Sequence, residues 1–275
     1  MLKEASKALI LCAALTLGAC SGSDPDKEAA NAMVAEASTA LDRGDYAQAE
    51  ALLDSLSATY PKQIEAGRAA LALRPRVMER KTEQEIADLQ AEMLAASAYV
   101  DSISGLFNSV PASDDVFEPY MIHKDVPANW RDRNTAVARL TPAGEFYMIS
   151  SLAGNSTRHT SIRLSARGTS AESGVVKNDP EDRLSRESLR FPAAKADTLG
   201  VYAVAIDGSA ATLTFAGGKK APTANLSAKE VHAIADTYRL SQAMGVISAG
   251  NRRLEQLKAK LQLARDQAAR TNVED

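Results

Sequence analysis

Few side chains in this 275-residue chain are of a type that could do chemistry. It has two cysteines, Cys12 and Cys20, and three histidines, His123, His159 and His232. A zinc site needs several Cys or His ligands at short, regular spacing, and these histidines are scattered along the chain. His159, between Arg158 and Thr160, falls on a candidate strand and reads as solvent-exposed; His232 falls near the start of a C-terminal helix. Asp114-Asp115 and the group Asp179, Glu181 and Asp182 could attract a divalent ion. They lack the alternating ligands, turn glycine and closing glutamate of a calcium loop, so solvated loop charge is the simpler expectation. Ala216-Gly217-Gly218-Lys219-Lys220 has no helix after it and suits a hairpin turn better than a phosphate-binding loop. No Gly-x-Ser-x-Gly nucleophile elbow occurs. The expectation is a protein without an enzymatic site, a cofactor or a bound metal.

A second group of residues suits recognition. Tyr120, Trp130, Arg131 and Arg133 lie close in sequence, with Phe146 and Tyr147 further on. Trp, Tyr and Arg are over-represented among residues that dominate binding energy, and aromatic faces can stack on sugars or peptides. Tyr120, Trp130, Arg131 and Arg133 are therefore the candidate binding surface. The competing expectation is that Trp130 and Phe146 fill a core, because aromatics are only 5% of the chain and large residues are scarce.

The composition narrows the classes further. Hydrophobic residues are 45% and charged residues 24%, enough apolar material for a folded core in a soluble chain. A net charge of -3 argues against a nucleic-acid binder, which would carry a basic patch or stripe. The 51 alanines favour long, closely packed helices over a large all-β body.

The first twenty residues form the most specific pattern. Lys3 and Lys7 precede an uncharged apolar run at 8–17, followed by the small residues Gly18 and Ala19 and then Cys20. A positive end, a short apolar core and small residues before a cut describe a secretory signal. The run is too short to span a bilayer, which takes about 20 residues. Leu17-Gly18-Ala19-Cys20 resembles the lipobox of bacterial lipoproteins. The resemblance implies cleavage between Ala19 and Cys20, with Leu17, Gly18 and Ala19 as the peptidase recognition residues and Cys20 as the lipidated residue. It further implies that Ser21, where an aspartate would favour the inner membrane, directs the protein to the outer membrane, facing the periplasm or the cell surface. Several acyl chains on one residue anchor stably where one would not. On that reading residues 1–19 are a signal peptide and 20–28 a lipidated tether.

The elements that must position the remaining residues form a helix, β-rich middle, helix pattern. From 29 to 110 the pattern is helical. Within it, Gly44-Asp45-Tyr46 at a turn, Ala49, Leu53, small Ala37 and Pro61 resemble one tetratricopeptide helix pair. A lone unit cannot bury both faces, so other helices of the chain are expected to complete it. Ile86, Leu89, Met93, Ala96, Val100, Ile103 and Phe107 alternate spacings of three and four, a heptad seam. Ser227-Ala228-Lys229-Glu230 reads as a capping box that opens a long C-terminal helix at 227–275. That helix has its own three-four pattern from Leu240 to Ala268. Between them, 111–226 is richer in Thr, Ser, Gly and Val. Candidate strands lie at 116–124, 135–140, 145–151, 158–165, 189–191, 212–215 and 221–226, with 197–206 either a strand or a short helix capped by Asp197.

The expected fold is α+β: a long antiparallel, coiled-coil-like helical stalk with a small antiparallel β-domain inserted between its helices. The expected role is a lipid-anchored envelope protein whose β-domain serves as a structural or protein-interaction module. A surface module for a glycan or peptide is the alternative. The expected partners are the membrane, through the lipid, and an envelope protein or glycan, with no nucleic acid.

Overall fold

The computed structural model describes residues 24–114, 116–154, 156–178 and 186–271. Leu17, Gly18, Ala19 and Cys20, and the acidic residues Asp115, Asp179, Glu181 and Asp182, lie outside them. The fold is mixed α+β, with five α-helices and two antiparallel sheets among the described residues. The chain divides into two compact units, one of Met1–Glu83 with Leu261–Asp275 and one of Gln84–Lys260.

The first unit is helical. Helix α1 (Pro25–Asp42) starts with Pro at its first turn and is capped by Asp24, which accepts from the Asp26 amide at 3.1 Å. Gly44, at φ 76°, turns the chain in a conformation that a Cβ would strain. Helix α2 (Tyr46–Thr59) is then capped by Asp45, which accepts from the Gln48 amide at 3.0 Å. Helix α3 (Ile64–Ser104) begins in this unit and runs on through Pro75. Its first turns close the helix pair: Ala30, Ala37, Ala40, Ala49, Ala66 and Ala70 bury against Leu53, Leu56, Leu73 and Val77. Small side chains let the helices approach closely but remove little apolar area from water per residue.

The described residues of the second unit form nine strands. The heptad seam expected to reach Phe107 stops short of it. Helix α3 ends at Ser104, just before Gly105, and Phe107 opens strand β1 (Phe107–Val110). Strand β2 (Tyr120–His123) follows, then a single 3-10 turn (Trp130–Asp132), β3 (Thr135–Leu140), β4 (Phe146–Ala153), β5 (Ser161–Ala166), β6 (Thr169–Glu172) and β7 (Arg186–Phe191). The stretch left open as strand or helix is helix α4 (Ala193–Ala205), preceded by Pro192. Asp197 does not cap it; its carboxylate instead accepts from the Tyr238 hydroxyl at 2.7 Å. Strands β8 (Ala211–Ala216) and β9 (Thr223–Leu226) flank the Gly217-Gly218 hairpin, and helix α5 (Ala228–Thr271) follows. The expected capping box is present: Glu230 donates its amide to Ser227 Oγ at 3.3 Å, while its Oε2 accepts from the Ser227 amide at 2.8 Å.

The sheets have the orders β1-β2-β3-β4-β7 and β6-β5-β8-β9. Side chains alternate across a strand, and the antiparallel register fixes which residues share a face. On one face of the five-stranded sheet lie Phe107, Ala138, Leu140, Phe146, Met148 and Phe191, part of the main core. Ile162, Leu164, Leu213 and Phe215 of the other sheet join that core, with Leu199 of α4 and Ile234 of α5. The opposite face bears Val110, Tyr120, Val137, Tyr147 and Ile149, and Trp130 lies on it in a second, smaller cluster. Because both faces are covered, all six residues of β3 are buried, including Arg139. In the same unit α3 and α5 meet where Met93 abuts Gly250; a Cβ there would come within 2.6 Å of the Met93 side chain.

Candidate functional site

The smaller cluster opens into a cavity of about 230 Å³. Strand β3 brings Arg139 to it, β4 brings Tyr147, β2 brings Tyr120 and β7 brings Arg190, since Arg139 pairs with Tyr147 and Arg190 with Ile149 across the sheet. The 3-10 turn adds Arg131. Each guanidinium lies over an aromatic ring: Arg139 at 3.7 Å from the Tyr120 centroid and 4.8 Å from that of Trp130, Arg131 at 5.1 Å from Trp130, and Arg190 at 4.3 Å from Tyr147. Cation–π contacts of this kind strengthen as water is excluded.

The charges are unequal. Glu118 lines the cavity and pairs with Arg190 at 2.7 Å. Arg139 is 6% exposed, and its Nε and Nη2 have no hydrogen-bond partner among the described residues. Burial pushes its pKa below the ordinary arginine value, opposed by the charge of the Tyr120 phenol and by a hydrogen bond with Tyr147. Arginine stays protonated in proteins, so the sheet holds a buried cation with two idle donors. At the lip, Phe117 is 95% exposed.

The four residues expected to form a binding surface part company here. Tyr120 and Arg131 line the cavity, with the Arg131 Nη2 donating to the Tyr120 hydroxyl at 3.5 Å. Trp130 is buried beneath Arg139. Arg133 turns away to pair with Glu230 of α5 at 2.9 Å. Phe146 lies in the main core, and Tyr147 reaches the cavity from the other face of the same strand. Arg139 and Arg190 were not among the sequence candidates. Arg139 did carry a signal: one charge inside the otherwise apolar run Ala136-Val137-Ala138-Arg139-Leu140.

A second constellation overturns the expectation for His159. It is wholly buried, because its backbone and ring are tied into the end of the sheet. Its Nε2 lies 2.8 Å from Ser150 Oγ and its Nδ1 2.7 Å from Glu187 Oε2. Glu187 also accepts the backbone amides of Arg158 at 2.7 Å and His159 at 3.1 Å. Burial alone would raise the Glu187 pKa; those amides and the His159 ring outweigh it and hold the carboxyl below its ordinary value. Burial lowers the His159 pKa despite Glu187. The pattern assigns a neutral ring that donates from Nδ1 to the carboxylate and accepts at Nε2 from Ser150. This is the spacing of a nucleophile, base and orienting acid, yet Ser150 and His159 have no exposed surface. The Phe215 ring packs edge-on to His159 at 5.2 Å.

A third group sits at the start of α5. Asp207, His232 and Asp236 are close enough to share a metal ion. However, both His232 nitrogens face carboxylates, at 2.9 Å to Asp207 and 3.3 Å to Asp236. Arg239 donates to the same two carboxylates at 2.8 and 2.9 Å. Arg239 and the His232 ring, whose pKa the hydrogen bond to Asp207 raises, thus face the carboxylate oxygens that a metal would use. His123, which the sequence left remote from His232, lies with its ring centroid 6.1 Å away. Its Nδ1 accepts from the Asp125 amide at 3.1 Å, leaving the proton on Nε2 and that atom unable to ligate.

No protein-family model, no curated protein and no solved structure matches this chain.

Proposed function

We propose that this protein is a lipid-anchored component of the bacterial outer membrane, facing the periplasm or the cell surface, and that its β-rich body acts as a structural or protein-interaction module. The observation that carries this reading is the order of charge, apolar run, small residues and Cys20 at the N-terminus. We infer that α3 and α5, of 41 and 44 residues, form an antiparallel stalk with the β-rich body inserted between them in the chain. Support comes from each unit separately: Arg265 pairs with Glu79 and Glu83 at 3.0 and 2.8 Å, and Gly250 admits Met93. The protein is not an enzyme on this reading. The Ser150–His159–Glu187 line serves as a pin in the core, and Asp207, His232, Asp236 and Arg239 as an ion-pair network.

Labelled palmitate tests the anchor. The wild type should incorporate label and fractionate with membranes, and Cys20→Ala should do neither; full label in Cys20→Ala overturns the assignment. A second reading, a surface module for a small ligand such as a glycan or peptide, is favoured by one observation, the cavity under Arg139 with its idle donors.

A further inference from the structure

We propose that the cavity beside Tyr120 and Tyr147 binds a carboxylate group, held edge-on by Nε and Nη2 of Arg139. The proposal rests on the ligand-binding reading of the β-rich body and is independent of the anchor. Nε and Nη2 form one edge of the guanidinium, where two parallel N–H groups match the two oxygens of a carboxylate. Both atoms are buried and without a partner among the described residues, and they belong to a side chain that lines the cavity, so a carboxylate reaches them by displacing the wall that now covers them. A buried cation left in this state is costly, and removing one partner of a buried pair leaves the same kind of cost. Tyr147 and the rings of Tyr120 and Trp130 already face this guanidinium, and an incoming anion would supply the partner that its edge lacks.

The surroundings select the ligand. Tyr120 and Trp130 lie over the guanidinium of Arg139, so a ligand must come to its edge. Arg190 shows the same chemistry satisfied internally, by Glu118 at 2.7 Å. With three arginines and one glutamate on the wall, the cavity carries net positive charge and favours an anion. At about 230 Å³ it is smaller than most whole-ligand pockets, which start at roughly 300 Å³. It therefore takes the acidic end of a molecule whose remainder lies outside, where exposed Phe117 offers an apolar contact. A phosphate could pair with the same edge, but it brings further oxygens that need donors of their own. A planar carboxylate, from a small organic acid or the acidic end of a peptide or sugar acid, fits better.

The test uses the full-length chain in a neutral detergent. Acetate and inorganic phosphate are titrated at constant ionic strength, with thermal unfolding as one readout and the Nε–H resonance of Arg139 in ¹⁵N-arginine-labelled protein as the other. Acetate should raise Tm saturably, by roughly 5–10 °C at a hundredfold excess over its Kd, and should move the Arg139 resonance. Arg139→Lys, which keeps the charge and loses the edge, should weaken the response at least tenfold. Arg139→Met should abolish it while leaving the ligand-free Tm unchanged or higher. The proposal is overturned by an unmoved Arg139 resonance, by a response retained in Arg139→Met, or by a response to phosphate that acetate does not elicit. A flat glycan array alongside a retained acetate response removes the glycan reading and leaves the carboxylate site standing.

Discussion

Ser150 illustrates how a residue can have the spacing of a nucleophile and the environment of a core pin. Its hydroxyl donates to a neutral His159 whose other nitrogen is committed to Glu187. Removing the hydroxyl leaves the buried Nε2 without a donor, a loss of about 1–3 kcal/mol. Ser150→Ala should therefore lower the urea midpoint with an unchanged m-value, and a fluorophosphonate probe should leave Ser150 unlabelled in the folded wild type. Labelling at Ser150, read by mass spectrometry, would make it a reactive site. The histidines also divide by sign. Burial lowers the pKa of His159 and His123, so each is held neutral. Their contribution to stability is present above the unfolded value of about 6.5 and falls as pH drops through it toward the folded value. His232 has the opposite behaviour. Its hydrogen bond to Asp207 outweighs burial and, helped by Asp236 against the repulsion of Arg239, raises its pKa. Its stabilisation is complete below about 6.5 and is lost as pH rises through the higher folded value. His232→Gln should thus lose more stability at pH 5.5 than at pH 8.5 in urea titrations, and a deficit that grows with pH would refute the assignment. None of these partners was legible in sequence. Ser150, His159 and Glu187 are separated by 9 and 28 positions, and only the sheet register brings them together.

Among the elements, those set by local chemistry were the most legible. The Gly44-Asp45 turn, the Ser227–Glu230 capping box and the Gly217-Gly218 hairpin all depend on neighbours within a few residues, and each is found where the sequence placed it. Strands β1 and β6 were missed because short edge strands have little pattern of their own; Phe107 continued a helical spacing although Gly105 lies just ahead of it. The hairpin has a role beyond turning the chain. A Cβ on Gly218 would come within 2.1 Å of the Thr157 carbonyl oxygen and 2.9 Å of the Arg158 carbonyl carbon. These are backbone atoms of the segment that carries His159 into the core, and they cannot rotate away. The Lys219 amide fastens the same segment by donating to the Thr157 carbonyl at 2.9 Å. Gly218→Ala should therefore cost about 1–3 kcal/mol, as overpacking does elsewhere, and should shift the His159 ring resonances. Gly245→Ala is the control. Apart from the adjoining backbone of its own helix, no described atom lies within 4 Å of where a Cβ would stand, so the exchange should be neutral or slightly stabilising in a helix.

Across the whole molecule, the α+β class was legible from the contrast between alanine-rich ends and a Thr-, Ser- and Val-rich middle, whereas the contents of each core were not. Alanine was expected as packing material for a stalk, and in the first unit it forms much of the core itself. That has an energetic consequence. Stabilisation by burial scales with the apolar area removed from water, about 25 cal/mol per Å², and an alanine methyl contributes far less than a leucine or phenylalanine side chain. The core around Ala30, Ala37, Ala40 and Ala49 has Leu53, Leu56, Leu73 and Val77 as its larger buried members. In the second unit Phe191, Phe215, Leu140, Met148, Ile162, Leu164 and Leu213 are nearly or wholly inaccessible. Local opening should follow that difference. Amides of α1 and α2 should exchange with deuterium through low-energy openings, while those of β4, β5 and β8 should exchange only with global unfolding. Leu53→Ala, which deletes one of the few large side chains of the helical core, should cost about 2–5 kcal/mol there and speed exchange in α1 and α2 while leaving β5 and β8 unchanged. Exchange mass spectrometry of the wild type and this variant decides the matter. Equal protection of α2 and β8, or acceleration of both by Leu53→Ala, would mean that the alanine core and the aromatic core open as one cooperative body.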